Sequence, residues 1–93
     1  MKKHYLVGYD IADPKRLGKL AKLMTSYGTR VQYSFFHCAI SDRQKKKMKD
    51  QIGAIVKEDE DQVIILPVAE KQLQEMECIG YGVHLEAEGI IIV

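Results

Sequence analysis

The chain has 93 residues, of which 46% are hydrophobic and 29% charged, and its formal net charge is +1. This composition is typical of one globular domain and excludes a largely disordered chain. No run approaches the ~20 apolar residues that a transmembrane helix needs, and the start of the chain lacks the apolar segment of a secretory signal. Cys38 and Cys78 have no metal-ligand spacing, so we expect two reduced thiols in a cytoplasmic protein.

The charges are divided unevenly along the chain. Residues 1–57 contain 13 Lys and Arg but 4 Asp and Glu, whereas residues 58–93 contain one Lys and nine Asp and Glu. Such an asymmetry is typical of a protein with a surface that binds a polyanion. Two ordinary solvated surfaces would also produce it, so the charge alone leaves both interpretations open.

The first predicted elements are a strand and a helix. Residues 5–11 combine aromatic and β-branched side chains and predict a strand. Asp13 and Pro14 are typical of the N-cap and the first position of a helix. Apolar side chains then recur at helical spacing as far as Tyr27. Gly28 follows at the position where a glycine commonly ends a helix.

The same alternation continues in the second half of the chain. Residues 30–40 predict either one strand or a tight hairpin with its turn at 33–34. Residues 41–44 (SDRQ) form a capping box, which predicts that a second helix begins there. An acidic turn leads to a strand over 62–68, and Pro67 indicates an edge strand or the end of the strand.

With the hairpin, the order of elements is βαββαβ, which predicts an α+β, ferredoxin-like domain whose core spans about residues 4–68. Residues 70–76 are weakly helical, and the apolar residues 89–93 are expected to pack as an additional strand. The first and fourth strands are apolar on both faces, although helices cover one face of such a sheet. We therefore expect a homodimer, in which a second copy covers the open face.

Asp10 is the strongest candidate for chemistry. It ends the first predicted strand, and a carboxylate is a suitable ligand for Mg²⁺ or Mn²⁺. One Asp is too little for a metal site, but a two-fold axis near this strand end would bring two copies of Asp10 together. A metal ion between them could promote hydrolysis of a phosphodiester. The alternative is that Asp10 caps a turn or pairs with Arg16, whereas Asp13 is expected to cap the first helix.

Further candidates lie near Asp10 in the sequence or on the basic helices. Tyr9 is expected either in the core or against a base or a phosphate. Arg16 and Arg30 flank the first helix and could hold phosphate through their guanidinium groups or form surface salt bridges. Together with these two arginines, the lysines of the helices would provide salt-dependent binding of nucleic acid. They are Lys15, Lys19, Lys22, Lys45, Lys46, Lys47 and Lys49. The three histidines are dispersed, so a histidine-based site is not expected.

Two motifs together are specific: YDI at residues 9–11, and YG-RVQYS-F-C over residues 27–38. On these motifs the chain resembles, over about residues 4–68, the small CRISPR-associated endoribonuclease family. Members of this family are the spacer-acquisition subunit that accompanies the CRISPR integrase. The resemblance implies a ferredoxin-like homodimer whose last strand adds to the partner's sheet.

The resemblance also implies a metal-dependent nuclease that acts on single-stranded RNA or double-stranded DNA. Asp10 would be its Mg²⁺ ligand, with Tyr9, Arg16, Arg30 and Phe36 implicated in activity. His37 departs from the family pattern, because it stands where a glutamate is common.

Three functions are compatible with these observations. The first is a Mg²⁺-dependent endonuclease that acts in spacer acquisition with the CRISPR integrase. The second is a non-catalytic, dimeric, DNA-binding scaffold of the same integration complex. The third is a ferredoxin-like regulatory dimer that binds a small molecule, but the chain has no glycine-rich ligand loop, and this function leaves the charge asymmetry unexplained. We favour the first, and the sequence does not separate it from the second.

Overall fold

A four-stranded sheet and three helices make up the computed structural model, which describes residues 1–80. The elements are β1 (Lys3–Asp10), α1 (Pro14–Thr25), β2 (Gly28–Gln32), β3 (Phe35–Ile40), α2 (Asp42–Ile55), β4 (Gln62–Val68) and α3 (Glu70–Gln74). The predicted α+β, ferredoxin-like order is confirmed, and residues 30–40 belong to a hairpin. The predicted terminal strand at 89–93 lies outside the described residues. No helix in residues 1–80 is long and apolar enough to cross a bilayer.

β1 lies inside the sheet and determines its register. The strand order is β2-β3-β1-β4, and β1 pairs antiparallel with both neighbours. Tyr5 lies opposite Cys38 on one side and Pro67 on the other, while Asp10 lies opposite Gln62. Within the described sheet β4 is therefore an edge strand, as its proline predicts.

Side-chain caps define where the two long helices begin. The Asp13 carboxylate accepts a hydrogen bond from the backbone N–H of Arg16 at 2.9 Å, and Pro14 occupies the first turn of α1. At α2, Ser41 and Gln44 form the predicted capping box, with bonds of 2.9 and 3.2 Å. Both predicted helix starts are confirmed, because these caps satisfy backbone N–H groups that the first turn leaves without a partner.

The core lies between the helices and one face of the sheet. Every second side chain of β1 points into this core, namely those of Tyr5, Val7 and Tyr9. The remaining buried members are Phe36, Cys38 and Ile40 from β3, Leu20 and Met24 from α1, and Met48 and Ile52 from α2. Burial raises the pKa of the Cys38 thiol to about 11, so this thiol stays protonated at neutral pH.

The opposite face of the sheet is covered only in part. Leu73 of α3 is buried there and packs against Leu6, Val31 and Val68. Other apolar side chains of the fold stay open: Phe35, Ile64 and Leu66 are 39%, 55% and 50% exposed. The structure therefore contains the apolar open face that the sequence predicts.

Gly28 has a different role from the predicted one. α1 ends at Thr25 with Ser26 as its C-cap, and Gly80 is the only described glycine with positive φ. The prediction that Gly28 ends the helix is therefore wrong. Gly28 instead begins β2, where a Cβ atom would lie 2.1 Å from the carbonyl oxygen of His37. The close approach of β2 to β3 requires a residue without a side chain.

We expect Gly28→Ala to destabilise the protein by about 2 kcal/mol or more, because β2 must move away from β3 to admit the methyl group. Gly18→Ala is the matched control, since a Cβ atom at this position of α1 would have no atom within 4 Å. The control should stabilise by about 0.5–1 kcal/mol through helix propensity. Urea unfolding curves measure both. Equal midpoints for Gly28→Ala and the wild type would contradict this role of Gly28.

Candidate functional site

Asp10 lies at the end of β1 and on the open face of the sheet. Because Tyr9 points into the core, the strand alternation directs Asp10 to the other side, where it is exposed. It lines a small open concavity of about 190 Å³ with Gly8, Tyr9, Ser34, Phe35, Gln62 and Ile64. Within residues 1–80 its carboxylate forms no hydrogen bond or ion pair, so the alternative in which it pairs with Arg16 is wrong.

Gly8 allows an aromatic ring to form one wall of this concavity. A Cβ atom at Gly8 would lie 3.1 Å from the tip of the Phe35 ring, which crosses β1 at this point. Phe35 and Phe36 lie on opposite faces: Phe36 is fully buried in the core and Phe35 is on the open face. The carboxylate of Asp10 is therefore beside an apolar wall and remains accessible to solvent.

Arg16 forms a tight ion pair with Asp61, in the turn before β4. Its Nε donates to Asp61 Oδ2 at 2.8 Å and its Nη2 to Oδ1 at 3.1 Å, and Nη2 also contacts Glu60 at 3.1 Å. The side chain of Asp61 is fully buried and that of Arg16 is 16% exposed. The Arg16 guanidinium is therefore occupied by carboxylates in this structure, as in the salt-bridge interpretation of the sequence.

Asp61 also binds the backbone on both sides of this pair. Its two oxygens accept the N–H of Ala12 at 2.9 Å and the N–H of Lys57 at 2.8 Å. The hydrogen bond from Arg16 holds the pKa of Asp61 well below its ordinary value. Asp61 thus fixes the loop that follows Asp10. The sequence did not predict this role of Asp61, because residues 58–61 are four consecutive acids and nothing in the sequence distinguishes the buried one from the exposed ones.

Tyr9, Phe36 and Arg30 form a second group on the helix side of the sheet. The Tyr9 and Phe36 rings stack with centroids 6.2 Å apart, and the Arg30 guanidinium lies 5.3 Å from the centroid of Phe36. The Tyr9 hydroxyl is buried and has no hydrogen-bond partner within residues 1–80. Burial raises the pKa of Tyr9, and the neighbouring Arg30 guanidinium acts in the opposite direction. These three side chains are therefore separated from the Asp10 carboxylate by the sheet.

The lysines of α1 and α2 differ in their exposure to solvent. Lys45 is half-buried, with its Nζ 4.8 Å from the centroid of the Tyr5 ring. The other candidates on the two helices are exposed: Lys15, Lys19, Lys22, Lys46, Lys47 and Lys49. Asp42 and Asp50 line the same grooves as the α2 lysines, and Asp42 pairs with Lys3 at 3.2 Å. The exposed lysines are placed to contact phosphates, whereas Lys45 has a packing role as well.

Two histidines meet on the sheet, although they are far apart in the sequence. His4 Nδ1 and His37 Nε2 are 2.9 Å apart, and the rings are stacked with centroids separated by 5.2 Å. The antiparallel pairing of β1 with β3 brings them together, which spacing along the chain could not reveal. In the described part of the chain, no three His, Cys, Asp or Glu side chains are grouped so that they could hold a metal ion.

Comparisons with known proteins agree with the fold. The model of the family described as CRISPR associated protein Cas2 matches residues 3–76. A CRISPR-associated endoribonuclease Cas2 of Synechocystis sp. is 32% identical, over 96% of this chain and 97% of that protein. A CRISPR-associated endonuclease Cas2 of Thermus thermophilus is 37% identical, over 87% and 86%.

Solved structures show the same similarity. The crystal structure of Streptococcus pyogenes Cas2 is 30% identical with a TM-score of 0.77, covering 83% of this chain and 99% of that chain. A chain of a partial Cas6-RT-Cas1–Cas2 complex is 28% identical with a TM-score of 0.73, covering 85% of both chains.

We expect Asp61→Asn to lower the thermal midpoint at pH 7, because it leaves Arg16 without its charged partner. The depressed pKa of Asp61 means that its stabilising effect is complete above the ordinary carboxyl pKa near 3.8 and decreases as the pH falls below that value. Thermal unfolding between pH 7 and pH 2 should therefore show a smaller loss for Asp61→Asn than for the wild type.

The matched control is Glu60→Gln, whose side chain is 47% exposed and makes one contact with Arg16. Exposed pairs contribute little, so its midpoint should stay close to that of the wild type at every pH. An Asp61→Asn variant with the stability and pH dependence of the wild type would show that this ion pair does not hold the loop.

Proposed function

The chain belongs to the Cas2 family of CRISPR-associated proteins, and we propose that it is an endonuclease that hydrolyses phosphodiester bonds with a divalent metal ion. The accessible carboxylate of Asp10, without an ion pair in residues 1–80, is the observation that carries this proposal. Its relatives are named as endoribonucleases and endonucleases, which supports phosphodiester hydrolysis as the reaction class.

The residues around Asp10 fit Mg²⁺ or Mn²⁺ as a cofactor. Mg²⁺ is commonly bound by one or two carboxylates and keeps several waters, which suits an exposed acid in an open concavity. The described residues of one copy supply one carboxylate here, so Asp10 of a second copy would provide the other. When bound, such an ion supplies a Lewis acid that activates water and neutralises charge on the phosphodiester.

The side chains that share a face with Asp10 support a homodimer. Ile64 and Leu66 are about half exposed on β4, and Phe35 is exposed beside Gly8. Burial of such a patch is favourable at ~25 cal/mol per Å². A two-fold contact between identical patches would cover this face on both copies and bring each Asp10 towards its equivalent.

Other side chains fix the position of the end of β1 that contains Asp10. Arg16 and Asp61 fix the loop that follows Asp10, and Tyr9, Phe36 and Arg30 pack against the helix-side face of the sheet. Tyr9, Phe36 and Arg30 lie across the sheet from the Asp10 carboxylate, and the Arg16 guanidinium is occupied by Asp61 and Glu60. We therefore assign them a positioning role, in which a change alters activity through the position of the β1 end.

The exposed lysines of α1 and α2 would bind the nucleic acid, a duplex DNA or a single-stranded RNA. Their contribution is electrostatic and independent of sequence, so it decreases as salt increases. The similarity to a chain of a Cas1–Cas2 complex supports a role in spacer acquisition beside a CRISPR integrase. Because these lysines need no contribution from Asp10, a DNA-binding scaffold in the same complex is the second candidate function.

We expect Asp10→Asn to reduce Mg²⁺-dependent cleavage by about 100-fold or more, because loss of several kcal/mol of charge stabilisation has this effect on a rate. Binding of the same nucleic acid should change less than about two-fold, since the lysines remain. Cleavage of labelled RNA and duplex DNA, with Mg²⁺ or with EDTA, measures the first quantity, and a filter-binding assay measures the second.

The control is Asp50→Asn, which removes an exposed carboxylate of α2 and should leave cleavage unchanged. If Asp10→Asn cleaves as the wild type does, the catalytic proposal fails and the scaffold function is favoured. If no preparation cleaves in the presence of Mg²⁺ while binding persists, the scaffold function is again the conclusion.

We expect Leu66→Glu to convert the dimer into a monomer, because two copies of the charge would be buried in the apolar contact. The monomer should also lose cleavage, although its Asp10 is intact. Ala54→Glu is the control for the mass, since Ala54 is exposed on α2, on the other side of the sheet from this face. Sedimentation equilibrium measures the mass of each variant. A dimeric, active Leu66→Glu variant would place the contact between copies on another surface.

A further inference from the structure

Three aromatic side chains at the β2–β3 hairpin and the neighbouring end of β1 extend from the core to the solvent. Tyr9 stacks on Phe36, and Arg30 lies 5.3 Å from the Phe36 centroid. The same guanidinium lies 6.0 Å from the centroid of the Tyr33 ring. Phe36 is fully buried, whereas Tyr33 is 78% exposed in the turn of the hairpin. Arg30 therefore connects a rigid interior ring to an exposed one.

The exposed ring has no packing role that accounts for it. Tyr33 belongs to neither hydrophobic cluster, and its side chain makes no hydrogen bond within residues 1–80. The guanidinium at one side of the ring favours a defined position for it through a cation–π contact. An aromatic side chain held in this way next to a cation is the arrangement on which nucleic-acid bases stack.

The turn of the hairpin also lies beside the end of β1. The backbone N–H of Tyr9 donates to the carbonyl oxygen of Ser34 at 3.1 Å. Ser34 and Phe35, the two residues that follow Tyr33, line the concavity that contains Asp10. A base that stacks on Tyr33 would therefore lie at the turn that adjoins the concavity.

We propose that Tyr33, supported by Arg30, stacks on one unpaired base of a nucleic acid bound beside the Asp10 concavity. Tyr33 then favours substrates with a single-stranded stretch over a fully paired duplex. In a duplex the faces of each base are covered by its neighbours, whereas an unpaired base can turn one face towards a ring. The position next to Asp10 rests on the proposed function, but the stacking itself requires no catalysis.

The test uses the full chain in EDTA, so that binding is measured without cleavage. The probes are a short RNA and a short DNA single strand that contain the fluorescent base 2-aminopurine, and the blunt duplexes of the same sequence. The wild type should quench the fluorescence of the single strands. Tyr33→Leu should bind them about ten-fold more weakly and lose the quenching, with an unchanged affinity for the duplexes.

Tyr33→Phe is the matched variant, because it keeps the ring and removes the hydroxyl. It should bind and quench as the wild type does. The comparison of RNA with DNA shows whether the 2′-hydroxyl contributes, since both strands offer bases to the ring.

Three results would overturn the proposal: no quenching by the wild type, an equal loss of affinity for single strands and duplexes in Tyr33→Leu, or a change of oligomeric state in Tyr33→Leu. The last would show that Tyr33 is an interface residue between proteins. None of these measurements depends on Asp10. The stacking proposal can therefore hold if the Asp10→Asn test contradicts the proposed nuclease, and the nuclease proposal can hold if Tyr33 does not stack on a base.

Discussion

The pairing of β1 on both of its edges is the constraint on which the rest of this structure depends. Because β3 and β4 hold the strand in register, neighbouring residues of β1 must point to opposite faces. Tyr9 and Asp10 are neighbours, so one of them lies in the core and the other lies on the open face. The apolar ring goes inside with Phe36, and the carboxylate is left outside without a desolvation cost.

This division assigns different tasks to residues that adjoin each other in the sequence. The ring of Tyr9 and the guanidinium of Arg30 belong to the helix side, where packing sets the position of β1. Asp10 belongs to the side that one copy leaves open. A change at Tyr9 would then move the carboxylate by a shift of the strand, and a change at Asp10 would remove the carboxylate while the fold stays the same. Similar losses of activity would therefore have different physical causes.

Much of this architecture could be predicted because its signals are local. The N-cap at Asp13 and the capping box at residues 41–44 involve residues three positions apart, so the sequence contains the whole interaction. Asp10 was identifiable for the same reason, as an acid at the end of an apolar strand. Pro67 likewise marked β4 as an edge strand by the hydrogen bond that it cannot donate.

The parts that could not be predicted depend on contacts between distant segments. The burial of Asp61 depends on Arg16, 45 positions earlier, and nothing in the acidic turn distinguishes it from Glu60. The contact between His4 and His37 exists only once β1 pairs with β3. At Gly28 a common local rule predicted a helix end, but the approach of β2 to the carbonyl of His37 is the stronger requirement.

The way in which α3 covers the open face determines where a second copy can bind. Leu73 buries itself against Leu6, Val31 and Val68, which leaves these side chains only partly exposed. The more exposed apolar side chains of β4, Ile64 and Leu66, lie opposite Gly8 and Leu6, and Ile64 is the nearer of the two to Asp10 along the sheet. A partner that buries the remaining apolar surface must therefore approach the strand end that carries the carboxylate. In such a dimer, the same hydrophobic driving force that completes the fold would bring the two acids together.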